Sequence, residues 1–217
     1  MIRAAQFQDV LQRYKTLILI LILIIFYTVG TVGLLSSKRA SFLELSFFNL
    51  ALSFAVLLLS RIRHSPKFYL FCLVGFFIGI GSEWIGIHTG YLFGDYTYGA
   101  NLGLHWFEVP LIIGVNWIML TIITAAVVAK LKAHWILKAL LATLLMVVLD
   151  VLIEPVAIKS DYWTWNGEIP LSNFRDWFIV ALILQLLYFG NRLNEPNKVA
   201  VVLFFVQLAF FSIQNLF

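Results

Sequence analysis

Long apolar runs alternate with short polar segments along almost the whole chain. Seven of these runs are long enough to cross about 30 Å of hydrocarbon as α-helices. They fall at about 17–35, 42–60, 68–90, 109–129, 134–158, 174–190 and 199–216. The pattern predicts an all-α fold, a polytopic membrane bundle of about seven transmembrane helices in which residues 1–217 form a single integral membrane domain.

Composition and charge narrow the class of protein and its expected orientation. Hydrophobic residues make up 62% of the chain and charged residues only 12%, which excludes an ordinary soluble domain. With the N-terminus inside, eleven of the fifteen Lys and Arg residues, Arg3 among them, fall in cytoplasmic segments. The basic residues therefore predict a cytoplasmic N-terminus and account for the net charge of +4. No nucleic-acid partner is expected, and the expected location is the cell membrane.

Acidic side chains inside the apolar runs are the first candidates for chemistry, because a charge at the bilayer centre costs about 2.5–3.5 kcal/mol. Glu83 lies near the outer end of the third run, Asp150 near the outer end of the fifth, and Asn116 near the outer start of the fourth. Counting about 1.5 Å per residue brings all three to one level, with Asn49 of the second run similarly placed. Glu154 follows Asp150 by one helical turn. A single acid is commonly interfacial, but several at one depth predict a polar chamber in which at least one carboxyl stays protonated near pH 7.

Two breaks between the runs, at about 88–108 and 159–173, carry similar aromatic motifs. The first contains Asp95-Tyr96-Thr97-Tyr98 and the second Asp161-Tyr162-Trp163-Thr164-Trp165, and each is followed by Pro-Leu and an Asn. The third and fourth runs and the fifth and sixth are therefore predicted to be two copies of one helix hairpin. The spacing differs between the copies, so duplication and chance similarity both stay open. The aromatic residues fit either an interfacial belt or a pocket that stabilises a cation.

An ordered set of motifs between about residues 70 and 180 resembles the membrane-integral carotenoid 1,2-hydratases, which include the archaeal bisanhydrobacterioruberin hydratases. The motifs are Glu83-Trp84-Ile85-Gly86, Phe93-Gly94-Asp95-Tyr96, Val109-Pro110-Leu111 with Trp117, Asp150-Val151-Leu152-Ile153-Glu154-Pro155, and Trp163-Thr164-Trp165 with Pro170 and Asn173-Phe174. The chain departs from the family pattern at Glu154, where Asp is usual. It departs again at Arg175-Asp176, which stand where a Gly is usual and which place charge at the outer rim.

The resemblance implies addition of water to the terminal 1,2 double bond of an acyclic (ψ) carotenoid end group, without a cofactor and without a metal. We hypothesise that Glu83 and Asp150 form the acid–base pair, and that Asp95 and Glu154 position water or tune that pair. The candidate substrate-binding residues are Trp84, Tyr96, Tyr98, Asn116, Trp117, Trp163, Trp165 and Asn173. The expected partners are a membrane-dissolved carotenoid, the lipid bilayer and other carotenoid biosynthesis enzymes. A membrane carotenoid or lipid binding or transport protein is the alternative.

Overall fold

Eight α-helices account for most of the computed structural model, which describes residues 2–217 and the side chains from Val10 onward. Arg3, counted above for the orientation, therefore has a side chain outside the described residues. The helices are α1 (Ile2–Leu34), α2 (Arg39–Leu43), α3 (Ser46–Ser60), α4 (Pro66–Thr89), α5 (Leu111–Val128), α6 (Trp135–Lys159), α7 (Leu171–Gly190) and α8 (Lys198–Leu216). Within the described part of the chain, seven spans are long and apolar enough to cross a membrane, α2 and α3 together forming the second. The predicted all-α bundle of seven spans is confirmed, and the protein is a multi-pass membrane protein.

The ends of α4, the helix that carries Glu83, follow from the local sequence. The Ser65 side chain caps its start by accepting a hydrogen bond from the Phe68 backbone N–H at 3.3 Å, and Pro66 occupies the first turn. Gly90 ends the helix in the left-handed conformation, with φ of 66°. Glu83 is thereby placed in the last two turns of a helix whose length is fixed at both ends.

α5 is the central helix of the bundle, and it packs against α3, α4, α6, α7 and α8. Its side chains Trp117, Met119, Leu120 and Ile123 are fully buried. α4 pairs with α5 and α6 pairs with α7 as helix hairpins, while α3 and α8 cover the remaining side of α5 and α1 packs on α3 and α8. The site described below therefore lies between two hairpins, with a third layer of helices behind it.

Four short strands lie at one end of the bundle, in connections between helices that the sequence pattern did not predict to contain strands. β1 (Tyr96–Tyr98) pairs antiparallel with β4 (Trp163–Trp165), and β2 (His105–Trp106) pairs with β3 (Val109–Pro110). In the first ribbon, Tyr96 stands opposite Trp165 and Tyr98 opposite Trp163. The two aromatic motifs recognised in the sequence are therefore neighbouring strands, and the ribbon ties the α4–α5 hairpin to the α6–α7 hairpin.

Candidate active site

Glu83 is a buried carboxylate that accepts three hydrogen bonds. Its Oε2 accepts from the hydroxyls of Tyr96 at 2.5 Å and Tyr98 at 2.8 Å, and its Oε1 accepts from Trp117 Nε1 at 2.9 Å. Tyr96 and Tyr98 reach it because alternate residues of β1 face the same side. Burial and the neighbouring Glu83 charge raise the pKa of both tyrosines well above their usual value, so both remain hydrogen-bond donors at neutral pH.

Glu154 is held in the same manner by the second strand. Its Oε2 accepts from Trp163 Nε1 at 3.0 Å and Trp165 Nε1 at 2.9 Å, and its Oε1 accepts from Asn173 Nδ2 at 2.9 Å. Only 2% of Glu154 is exposed. Three donors around a buried carboxylate satisfy most of its acceptor capacity and stabilise it in the ionised form.

Asp150 lies one helical turn before Glu154 and is fully buried. Its only hydrogen bond is a long one, 3.3 Å from Asn173 Nδ2 to Oδ2, while its Oδ1 has no partner. Asn173 thus bridges Asp150 and Glu154 through one amide nitrogen. With so few donors, Asp150 is less well satisfied than Glu83 or Glu154.

A cavity of about 30 Å³ lies between Glu83 and Glu154, about the size of a site for one ordered water. Its walls are formed by carboxyl groups, side-chain amides, aromatic rings and two aliphatic side chains. Its lining consists of Glu83, Phe93, Tyr96, Tyr98, Ile113, Asn116, Trp117, Ile153, Glu154, Trp163, Trp165, Asn173 and Trp177. One wall is the stacked pair Trp117 and Trp177, whose ring centroids are 4.0 Å apart. The site is a small, mostly apolar space with carboxyl groups on two sides.

Comparison with known proteins places this site within a described family. The family of carotenoid biosynthesis proteins matches residues 42–216, a range that includes every residue lining the cavity. The chain belongs to this family. It is also 25% identical over 125 residues to bisanhydrobacterioruberin hydratase of Haloarcula japonica. That match covers 50% of this chain and 40% of the relative, so the chain spans less than half the length of that protein. No solved structure matches the chain.

In this member of the carotenoid biosynthesis family, the two helix hairpins occupy equivalent positions around the cavity. Each contributes one glutamate from its first helix and two donors from the strand that follows. The central pair of the ribbon is Thr97 opposite Thr164, which places a two-fold axis between the two motifs. Trp117 and Trp177, which stack on each other, each stand seven residues after a proline of the preceding connection. This correspondence in space supports the predicted duplication.

The equivalence of the two halves is broken at Asp150. The residue in the corresponding position, one turn before Glu83, is Gly79. A Cβ atom added there would lie 2.8 Å from Trp117 Cδ1, so the first half has no room for a second acid. The site therefore contains one unmatched carboxyl group.

Most of the residues predicted for the site are brought together, and three are not. Asp150 belongs to the group through its bond to Asn173 but does not itself line the cavity. Asn116 and the predicted aromatic residues of the two strands line the cavity, as does Asn173. Asp95 is exposed and accepts a hydrogen bond from Asn166 Nδ2 at 2.8 Å, so it fastens the connections to each other instead of facing the cavity. Trp84 is 43% exposed and stacks on His88. Asn49 does not line the cavity, and its buried Oδ1 has no hydrogen-bond partner.

The Arg175-Asp176 pair only partly fits the expectation of charge at the rim. Arg175 is exposed, but Asp176 is buried, and the two are joined at 2.7 Å from Nε to Oδ1. Asp176 Oδ2 also accepts from the Phe93 backbone N–H at 2.9 Å. Phe93 has a φ of 65°, which is uncommon for a residue with a side chain, and its ring lines the cavity. Asp176 thus holds a cavity residue in place.

Sequence reasoning missed four lining residues, Phe93, Ile113, Ile153 and Trp177. Trp177 could have been found from its equivalence to Trp117 after the two Pro-Leu pairs. The aliphatic residues carry no signal that separates them from the rest of an apolar helix. Among the described residues, no group of three His, Cys, Asp or Glu side chains is arranged to hold a metal ion.

Proposed function

We propose that this protein adds water across the terminal 1,2 double bond of an acyclic (ψ) carotenoid end group and so forms a tertiary alcohol. The observation that carries the proposal is a water-sized cavity between well-satisfied carboxylates, with a poorly satisfied acid beside them. Membership of the carotenoid biosynthesis family and similarity to a protein named as a hydratase support the choice of substrate and reaction. The apolar spans are suited to a substrate that is dissolved in the bilayer.

Asp150 serves as the proton donor in this mechanism. A fully buried carboxylate with one long hydrogen bond would lack the stabilisation that an ionised group needs, whereas a neutral carboxylic acid is far less costly there. Its unpartnered oxygen is free to hold the proton. General acid catalysis requires such a group, in the neutral form at working pH.

Protonation of carbon-2 uses the electron pair of the double bond and leaves a tertiary cation at carbon-1. The ionised Glu83 and Glu154 stabilise that positive charge, and the π faces of the surrounding indoles contribute further. A water held in the cavity attacks carbon-1, and Glu83 takes the proton that this water loses. The proton then returns from Glu83 to Asp150, so that the net change is addition of one water.

The substrate enters from the bilayer in this proposal, because a carotenoid is about as long as the hydrocarbon is thick. A cavity of about 30 Å³ holds a water but not a branched isoprenoid end. Side chains of the lining, with the stacked Trp117 and Trp177 as one wall, therefore move when the end group binds. Closing around the end group excludes bulk water and leaves only the water that reacts.

Expression in a lycopene-accumulating host tests the proposal. We expect pigments that gain the mass of one water per hydrated end, and no such gain with Glu83→Gln or Asp150→Asn. The matched control is Glu108→Gln, because the Glu108 side chain is 77% exposed and lies outside the cavity. If the Glu83 and Asp150 variants, shown to be inserted and folded, still make the hydroxy product, the assignment is wrong. A gain of one oxygen alone would instead identify a hydroxylase.

A further inference from the structure

The two equivalent glutamates differ in the chemistry of their partners. All three donors to Glu154 are N–H groups, two from indoles and one from the amide of Asn173. Such groups donate and cannot accept. Two of the three donors to Glu83 are phenol hydroxyls, from Tyr96 and Tyr98. A hydroxyl can donate or accept, according to how its hydrogen is turned.

We infer that Glu154 remains a fixed anion while Glu83 is the carboxylate that gains and loses a proton, with Tyr96 and Tyr98 as partners that adapt to the change. If Glu83 is protonated, its O–H can donate to a phenol oxygen whose own hydrogen turns away. A proton on Oε2 of Glu154 would instead point at two indole N–H groups that cannot accept it, and a proton on Oε1 would require the Asn173 amide to turn over and give up its bond to Asp150. The inference deepens the proposed function and rests on it for the catalytic part.

The groups around Glu83 are consistent with this division. From β1, the titratable groups that face it are Tyr96 and Tyr98, and both phenols stay neutral because burial raises their pKa. α6 contributes Glu154, whose charge acts on Glu83, and Asp150, which is neutral in the proposed resting state.

The other elements packed around the site add no free charge close to Glu83. α5 contributes Trp117, and α7 contributes Asn173, neither of which titrates. Asp176 of α7 is held by Arg175 and by the Phe93 backbone N–H. The protonation of Glu83 is therefore governed by two phenols, one indole and the two acids of α6.

In the hydration cycle, Glu83 and Glu154 each have one role. Glu83 accepts the proton released by the attacking water, and its phenol partners keep their contacts throughout. Glu154 stays negative when the cation forms at carbon-1 and stabilises it by its charge, while its three N–H donors hold the carboxylate in place. Tyr96 and Tyr98 thus act as positioning residues that also allow Glu83 to change its charge.

A matched pair of variants tests the inference, because Tyr98 and Trp163 stand opposite each other in the ribbon and each donates to one glutamate. In proteoliposomes containing lycopene, Tyr98→Phe is expected to move the acidic limb of the rate–pH profile upward by about one unit, since Glu83 loses a donor to its charged form. Trp163→Phe is expected to lower the rate without moving the limb. If both variants move the acidic limb equally, or if Tyr98→Phe does not move it, the different roles inferred for Glu83 and Glu154 are wrong.

Infrared spectra of the resting protein test the same inference without relying on activity. Exposed carboxylates also protonate on acidification, so the signal followed here is the C=O stretch of a buried carboxyl group, separated by subtracting the spectrum of Glu83→Gln, and we expect it in the wild type and in Trp163→Phe. The signal should be absent in Glu83→Gln and should arise at higher pH in Tyr98→Phe. A signal that persists in Glu83→Gln contradicts the inference. If the wild type does not hydrate lycopene but the infrared signals are as expected, the proposed reaction fails while the assignment of Glu83 stands.

Discussion

Replacing Glu154 by glutamine is expected to destabilise the protein more than the same replacement at Glu83. The two glutamates are similarly buried, with 2% and 4% of their surface exposed, and each accepts three hydrogen bonds. Replacing a carboxylate by an amide removes the cost of burying its charge and also weakens its hydrogen bonds. Both effects are therefore similar at the two positions. The difference arises from where the new NH₂ group of the amide must point.

At position 154 the NH₂ group meets a donor in either orientation as long as the Asn173 amide keeps its bond to Asp150. It faces either the indoles of Trp163 and Trp165, 2.9–3.0 Å away, or the amide nitrogen of Asn173, 2.9 Å away. At position 83 it can face the phenol oxygens of Tyr96 and Tyr98, while the amide oxygen faces the third donor. A buried donor without an acceptor costs about 1–3 kcal/mol, and this is the expected excess loss of unfolding free energy for Glu154→Gln.

Thermal unfolding in detergent or nanodiscs, followed by tryptophan fluorescence, measures the difference. For a chain of this size, about 1 kcal/mol corresponds to about 2–4 °C in Tm, so Glu154→Gln should melt several degrees below Glu83→Gln. Glu108→Gln serves as the exposed control and should melt close to the wild type. Equal melting of the two buried variants, or a lower Tm for Glu83→Gln, would refute the distinction between donor-only and adaptable partners.

Two further predictions concern the ribbon between the hairpins. Gly99→Ala should lower Tm by several degrees and weaken hydration, because an added Cβ would lie 2.1 Å from the Asp161 backbone oxygen; Gly81→Ala, where nothing lies within 4 Å, is the control. Raising the pH above about 10 should destabilise the wild type more than Tyr96→Phe. The pKa of Tyr96 is raised by burial, so the unfolded chain loses this proton first, and stability falls by up to about 1.4 kcal/mol per pH unit for this group. Apparent Tm between pH 9 and 11 measures it, and parallel curves for the two proteins would contradict it.

The helices and their acids could be predicted because both depend on regular geometry. A fixed rise per residue brought Glu83, Asn116 and Asp150 to one level, and the structure places Glu83 and Asn116 at the cavity and Asp150 directly beside it. The strands could not be predicted, because two or three residues are too few for an alternating pattern to stand out from an aromatic loop.

The positions of residues in the connections depended on pairing that the sequence does not reveal. Asp95 and Tyr96 are adjacent, yet the first is exposed and bonds Asn166 while the second is buried against Glu83. This difference follows from the alternation of side chains along a strand and was not available without knowing that a strand forms. For the same reason the hydroxyls of the tyrosines were expected to face a substrate, whereas they face a carboxylate. Their role in binding substrate stays a prediction.

The source of the donors around each glutamate has a consequence for how the protein is made. Glu83 receives its hydrogen bonds from β1 and α5, which directly follow its own helix, and Glu154 receives its bonds from β4 and α7. Each hairpin can therefore enter the bilayer during synthesis with the donors for its own glutamate already on board, before the other hairpin has arrived. The cavity itself forms only when the two hairpins pack together and β1 pairs with β4, so it is completed after each glutamate has met its own donors.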